Sequence, residues 1–122
     1  MPFLHQFIKS FRFALRGLWV VYRSEQNFRV QLIAYIAVLA LASFLRVQPW
    51  GLVAIVLAGC IVLVLECINS AVERLLDLVQ PRLHGYVREI KDIMAAAVLV
   101  SSVSAALIGV AILLPHVVRA AS

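Results

Sequence analysis

The fold is decided by residues 65–77, which read Leu65-Glu66-Cys67-Ile68-Asn69-Ser70-Ala71-Val72-Glu73-Arg74-Leu75-Leu76-Asp77. They follow an apolar run, Val47 to Leu65, that contains no charged residue. From its end, acids and one amide recur at steps of three, four and four residues: Glu66, Asn69, Glu73 and Asp77. Because a helix turns by about 100° per residue, these steps place all four side chains in one stripe. The sequence therefore predicts a helix that leaves an apolar medium and presents a single row of polar groups as it leaves.

The composition of the whole chain indicates that this apolar medium is a membrane. Of the 122 residues, 64% are hydrophobic and 14% are charged, whereas about 25% of the residues in a soluble domain are charged. The formal net charge is +5, and basic residues are concentrated in residues 1–29. In so apolar a chain, attraction to anionic lipid explains this basic segment better than nucleic-acid binding does. We therefore expect one small membrane domain without a nucleic-acid partner.

The pattern of apolar runs predicts an all-α fold with a surface helix and three membrane spans. Over residues 3–24, apolar side chains recur at helical spacing and basic residues fall between them, which is typical of an amphipathic helix on a membrane surface. Uncharged runs then predict transmembrane helices over 28–46, 49–79 and 93–118, the second with a cytoplasmic extension. Ser24 is expected to cap the first of these helices, and a cytoplasmic loop is expected over 80–92.

The distribution of basic residues predicts how the chain is oriented. Nine of the 11 Lys and Arg residues lie within residues 1–29 or 74–91, and the other two are Arg46 and Arg119. Basic residues are enriched on the cytoplasmic side of membrane proteins. The N-terminus and the acidic end of the second span are therefore expected to face the cytoplasm.

Three interpretations of the polar stripe remain open from the residues alone. It can form a hydrogen-bonded seam between packed helices, an ion or proton path, or a metal-dependent active site. The third has a chemical basis, because one or two carboxylates together with phosphate oxygens bind Mg²⁺. Glu73 can bind the metal with Glu25 or Asp77, while Lys91 can neutralise phosphate charge. Glu66, the deepest acid, can act as a general base.

Several motifs resemble the small prokaryotic diacylglycerol kinase and undecaprenol kinase family. Residues 66–73, Glu-Cys-Ile-Asn-Ser-Ala-Val-Glu, are similar to the family signature E-x-x-N-[ST]-A-[IV]-E. Residues 14–18, 24–29 and 91–97 and Asp77 match other family segments in order and spacing. The resemblance extends over residues 6–115, although no P-loop or protein-kinase motif is present.

The resemblance implies a homotrimer of three-span subunits with active sites between the subunits. Such proteins lie in the bacterial inner membrane and transfer the γ-phosphoryl group of ATP, with Mg²⁺, to a membrane lipid alcohol on the cytoplasmic side. In this sequence Glu66 matches the catalytic base, and Glu25 and Glu73 match the metal ligands. The positions that correspond to residues around ATP are Asn69, Asp77, Lys91, Asp92 and, in an aligned loop, Arg82-Leu83-His84.

Two positions depart from the family pattern. The enterobacterial diacylglycerol kinase has a basic residue and a tyrosine in contact with nucleotide where this chain has Gln6 and Phe13. Arg12, Arg16 or Arg82 is expected to compensate. Segments 24–29 and 91–97 are closer to the Gram-positive undecaprenol kinase pattern, which favours undecaprenol as substrate and leaves diacylglycerol as the alternative. A non-enzymatic assembly factor or ion-conducting subunit is the competing interpretation from another class.

Overall fold

The computed structural model describes residues 1–82 and 84–122, and these residues form four α-helices. Helix α1 is Pro2–Ser24, α2 is Gln26–Phe44, α3 is Pro49–Val79 and α4 is His84–Ala121. By length and composition, α2, α3 and α4 are each able to cross a membrane. The expected all-α architecture with three apolar helices is therefore confirmed for the described residues.

The break between α1 and α2 is a single residue, Glu25, in extended conformation with φ −114° and ψ 110°. The sequence predicted that Ser24 caps α2, but in the structure Ser24 is the last residue of α1. The reason is that its hydroxyl donates a hydrogen bond back to the Val20 carbonyl over 2.7 Å and so completes the last turn of α1. Helix α2 consequently covers Gln26–Phe44 rather than the predicted 28–46.

The turn between α2 and α3 fixes the start of α3. Arg46 has φ 55°, and the following Val47 amide donates to the Ala42 carbonyl over 3.1 Å. This left-handed residue closes the end of α2 as a Schellman motif does. Pro49 then occupies the start of α3, where its missing N–H group has no helical partner to lose. Helix α3 has the bounds expected from the sequence, 49–79.

The predicted loop over 80–92 is too long, because α4 begins at His84. Residues 84–92 contain no proline, and their charged side chains are accommodated on a solvated helix face. Val87 is buried in this first part of α4, which holds the segment against the rest of the chain. Leu83, which belongs to the expected ATP-contacting loop, lies outside the described residues. Helix α4 also continues past 118, to Ala121.

Helix α3 is the centre of the packing, since it contacts each of the other three helices. Its buried face contains Ile55, Val62, Glu66 and Ser70, which recur at helical spacing. Tyr35 of α2 packs closely against α3, because its hydroxyl donates a hydrogen bond to the Val56 carbonyl over 2.8 Å. The buried face of α3 therefore changes from apolar to polar along its length, and the two polar residues lie at the end nearer the α3–α4 connection.

Candidate active site

The polar stripe of α3 passes from a buried to an exposed environment. Glu66 is 2% exposed, Asn69 and Glu73 are half-buried, and the side chain of Asp77 is 64% exposed. The four predicted site residues thus form a path from the interior of the chain to its surface. Glu66 is buried within a single chain, so its enclosure does not require a neighbouring subunit.

Glu66 is unusual because one of its carboxylate oxygens has no hydrogen-bond partner. Among the described residues nothing pairs with its buried Oε1. Ser70, one turn along α3 from Glu66, donates a hydrogen bond to Glu25, and Glu73 lies two turns along the same helix from Glu66. A buried polar atom left unpaired costs about 1–3 kcal/mol of stability, and more when it is charged. Such an atom is therefore a candidate for a chemical role.

Glu25 is brought to the stripe from a distant part of the sequence. It lies at the α1–α2 junction, and its Oε1 accepts a hydrogen bond from the Ser70 hydroxyl of α3 over 3.2 Å. The guanidinium of Arg74 lies 3.9 Å from the same oxygen. The fold thereby joins the junction to the middle of the polar stripe, as a shared metal site with Glu73 requires.

Three further residues belong to this region and were not predicted as site residues from the sequence: Ser24, Ser70 and Arg74. Arg74 Nη2 donates to the Ser24 hydroxyl over 2.9 Å, and Nη1 donates to the Ser70 hydroxyl and to the Ser70 carbonyl, the latter over 3.3 Å. A sequence signal was available, because Ser70 and Arg74 are four residues apart on the helix that carries the stripe.

A second pair joins the exposed end of the stripe to α4. Lys91 Nζ lies 3.8 Å from Asp77 Oδ1, and both side chains are partly exposed. An exposed ion pair of this kind contributes little to stability, typically about 0–1 kcal/mol. The pair matters for the site because it places the Lys91 ammonium beside Asp77, the outermost acid of the stripe.

The other predicted nucleotide contacts make no described hydrogen bond or ion pair with the acids. Arg12 and Arg16 are exposed on α1, where the Arg16 guanidinium lies 5.9 Å from the centre of the Phe13 ring. Arg82, His84 and Asp92 are exposed near the start of α4. Within residues 1–82 and 84–122, no hydrogen bond or ion pair links these five side chains to the stripe.

The acids fit a metal ion that takes most of its ligands from substrate phosphates and water. The described residues contain no group of three or more His, Cys, Asp or Glu side chains able to hold an ion by themselves. Mg²⁺ commonly binds one or two carboxylates together with substrate phosphates and water. Glu25 and Glu73 can supply that pair, and the unpaired Glu66 Oε1 remains outside it.

The comparisons with known proteins agree on one family. The family described as Prokaryotic diacylglycerol kinase matches residues 12–113. The undecaprenol kinase of Bacillus subtilis (strain 168) is 35% identical over 114 residues, which are 92% of this chain and 91% of that protein. The diacylglycerol kinase of Escherichia coli (strain K12) is 27% identical over 109 residues, 89% of each chain.

A third relative is longer than this chain. The diacylglycerol kinase of Synechocystis sp. is 34% identical over 107 residues, which are 87% of this chain but 61% of that protein. The chain thus spans less than two thirds of the Synechocystis relative and nearly all of the Bacillus one. From the family match and these identities, the chain belongs to the prokaryotic diacylglycerol kinase family of lipid kinases.

Proposed function

We propose that this protein transfers the γ-phosphoryl group of ATP, in the presence of Mg²⁺, to the hydroxyl of a membrane lipid alcohol, with undecaprenol favoured. The observation that carries the proposal is Glu66, a buried acid with an unpaired oxygen, located where α3 changes from apolar to polar. A lipid hydroxyl lies at the boundary between hydrocarbon and water. Glu66 is thus at the depth where an acceptor of this kind is held.

Glu66 acts as the general base in this proposal. Its Oε1, which has no partner among the described residues, accepts the proton of the lipid hydroxyl as the hydroxyl oxygen bonds to the γ-phosphorus and the bond from that phosphorus to ADP breaks. Proton transfer to a positioned side chain typically contributes about 10²–10⁴-fold to the rate. The buried position also keeps bulk water from the base, which favours lipid over water as the acceptor.

Glu25 and Glu73 would hold Mg²⁺. When bound, the metal would neutralise negative charge on the nucleotide phosphates. The Ser70 hydroxyl donates a hydrogen bond to Glu25 Oε1 and so holds one oxygen of that carboxylate. Glu73, half-buried one turn beyond Asn69, supplies the second carboxylate from α3.

The remaining polar residues of the stripe and of α4 bind the nucleotide. Lys91, held beside Asp77, supplies positive charge near the phosphates. Asn69 offers both a donor and an acceptor between Glu66 and Glu73. The outer residues proposed to contact ATP are Asp92, Arg82, His84, Arg12 and Arg16.

The proposed site is completed by other copies of the chain in a homotrimer. Support comes from the exposure of the five outer residues and from the lack of any described hydrogen bond or ion pair between them and the acids. Helix α4 also carries small side chains that permit close contact between helices: Ala95, Ala96, Ala97, Ser101, Ser102, Ser104, Ala105 and Ala106. In this arrangement α1 lies on the cytoplasmic surface of the bacterial inner membrane as an amphipathic helix, and α2–α4 cross the membrane with the acids on the cytoplasmic side.

Undecaprenol is favoured over diacylglycerol because segments 24–29 and 91–97 are closer to the Gram-positive undecaprenol kinase pattern, in line with the 35% identity to the Bacillus relative named undecaprenol kinase. The test is a mixed-micelle assay that offers both lipids to the purified protein with Mg²⁺ and ATP. We expect phosphorylation of both to depend on Mg²⁺, with the higher kcat/KM for undecaprenol. A higher kcat/KM for diacylglycerol would assign the alternative substrate. No ATP consumption with either lipid would remove the kinase proposal and favour a non-enzymatic or ion-conducting role.

A further inference from the structure

Arg74 lies beside Glu25 and has no role in the mechanism proposed above. Its guanidinium joins two elements: Nη2 donates to the hydroxyl of Ser24, the last residue of α1, and Nη1 donates to the hydroxyl of Ser70 on α3. The Ser70 hydroxyl in turn donates to Glu25 Oε1 over 3.2 Å. Arg74 therefore holds both the residue that precedes Glu25 in the chain and the residue that hydrogen-bonds its carboxylate.

The direct charge contact between Arg74 and Glu25 is the weaker part of this arrangement. The two groups are 3.9 Å apart, which is longer than a hydrogen bond. The Arg74 side chain is also 48% exposed, so water screens the attraction. The contacts that fix geometry are the donated hydrogen bonds to the two serines. Arg74 is thus arranged to orient Glu25 more than to neutralise it.

Glu25 requires such support because it is an isolated extended residue between two helices. Arg29 ties these helices to each other, since its Nη1 donates to the Tyr22 and Arg23 carbonyls over 2.7 and 2.9 Å. Arg29 does not reach α3 in the described hydrogen bonds. Every described side-chain hydrogen bond from Ser24 or Glu25 to α3 involves Ser70 or Arg74.

We propose that Arg74 is a positioning residue for the metal site: acting through Ser24 and Ser70, it holds the Glu25 carboxylate in the place where that carboxylate binds Mg²⁺. The inference rests on the proposed function, because it takes Glu25 as a metal ligand. Groups that orient a metal ligand typically contribute about 10–100-fold to metal affinity or activity. Arginine suits the task because its planar fork donates in two directions, whereas lysine carries the same charge as a single point.

The test compares Arg74→Gln and Arg74→Lys with the wild type, and uses Arg88→Gln as a control that removes an exposed arginine of α4. The first readout is the Mg²⁺ concentration that gives half-maximal lipid phosphorylation. We expect Arg74→Gln to raise it about 10-fold, with kcat at saturating Mg²⁺ near the wild-type value. Arg74→Lys should also raise it, because charge without the fork does not hold both serines. Arg88→Gln should leave it unchanged.

The second readout does not need activity. Hydrogen–deuterium exchange is measured on metal-free protein over residues 22–28, and we expect faster exchange in Arg74→Gln but not in Arg88→Gln. Ser24→Ala should raise the Mg²⁺ requirement in the same direction, and its combination with Arg74→Gln should cost less than the two single changes added together, because both act through one contact.

An unchanged Mg²⁺ requirement in Arg74→Gln would overturn the proposal. A lowered requirement would overturn it as well, since it would mean that Arg74 competes with the metal for Glu25. If wild-type protein consumed no ATP with either lipid, the proposed function would fail instead. The exchange measurement would then still decide whether Arg74 holds the junction, and unchanged exchange would count against that role independently.

Discussion

At the scale of single residues, the three acids of the site differ in what surrounds them. Glu66 is buried with an unpaired oxygen, whereas Glu25 is hydrogen-bonded by Ser70 and lies near Arg74. Glu73 is half-buried between these environments and the exposed Asp77. A carboxylate already held by a hydrogen bond is suited to bind a cation in fixed geometry, and an unpaired one is suited to accept a proton.

This division of roles predicts the effect of removing either proposed metal ligand. Glu25→Gln and Glu73→Gln should each raise the Mg²⁺ concentration needed for half-maximal activity by at least about 10-fold and also lower kcat, because a carboxamide oxygen carries no net charge. The measurement is the rate of lipid phosphorylation across a Mg²⁺ titration. Glu89→Gln, which changes an exposed acid of α4, is the matched control. A wild-type Mg²⁺ response in both variants would remove them from the metal site.

At the scale of helices, local signals predicted α3 well and α4 poorly. Pro49 and the charge-free run after it define where α3 begins, and Gln80-Pro81 follows its end. The start of α4 was missed because charged residues such as Arg88 and Glu89 occur equally in loops and on solvated helix faces. The contact of Glu25 with Ser70 was also beyond the sequence, since it depends on how the α1–α2 junction packs against α3.

The packing of α2 on α3 yields a prediction about glycine. A Cβ added at Gly59 would overlap the Tyr35 ring, whereas nothing lies within 4 Å of a Cβ at Gly109. Gly59→Ala should therefore destabilise the protein by about 1–3 kcal/mol. Gly109→Ala should be neutral or stabilising, because alanine is the better helix former by about 1 kcal/mol. The two variants are compared by thermal unfolding in the same detergent. Equal melting temperatures would mean that α2 and α3 are not in close contact at Tyr35.

At the scale of the whole molecule, one chain joins Glu25 to α3 through Ser70 and Asp77 to Lys91, whereas the outer proposed nucleotide contacts make no described hydrogen bond or ion pair with the stripe. The acidic stripe could be predicted from helical spacing alone, because its members lie on one element. The cations that approach the stripe could not be predicted in this way, because their positions depend on packing between elements and between copies of the chain. The proposed trimer accounts for both the incomplete site and the many small side chains of α4.

The trimer is tested by the mass of the active species in mild detergent, measured by light scattering with the detergent contribution subtracted. We expect a protein mass near three times the chain mass of 13.5 kDa, with activity and mass falling together on dilution into harsher detergent. Ala106 and Leu107 are both exposed on α4. Ala106→Leu, which adds bulk among the small side chains, is expected to weaken association, while Leu107→Ala is not. A fully active monomer would contradict the shared site.

Glu66 is proposed to be the base of a lipid kinase, and the Glu66→Gln variant is the sharpest test of that role. Glutamine keeps the size of the side chain and can still hydrogen-bond, but it cannot take the proton of the acceptor hydroxyl. The measurement is kcat for lipid phosphorylation, together with the affinity for a non-hydrolysable ATP analogue in Mg²⁺. We expect a loss of about 10²–10⁴-fold in kcat with analogue affinity near the wild-type value. A variant that retains most of its kcat, or one that loses analogue binding along with its rate, would contradict that role.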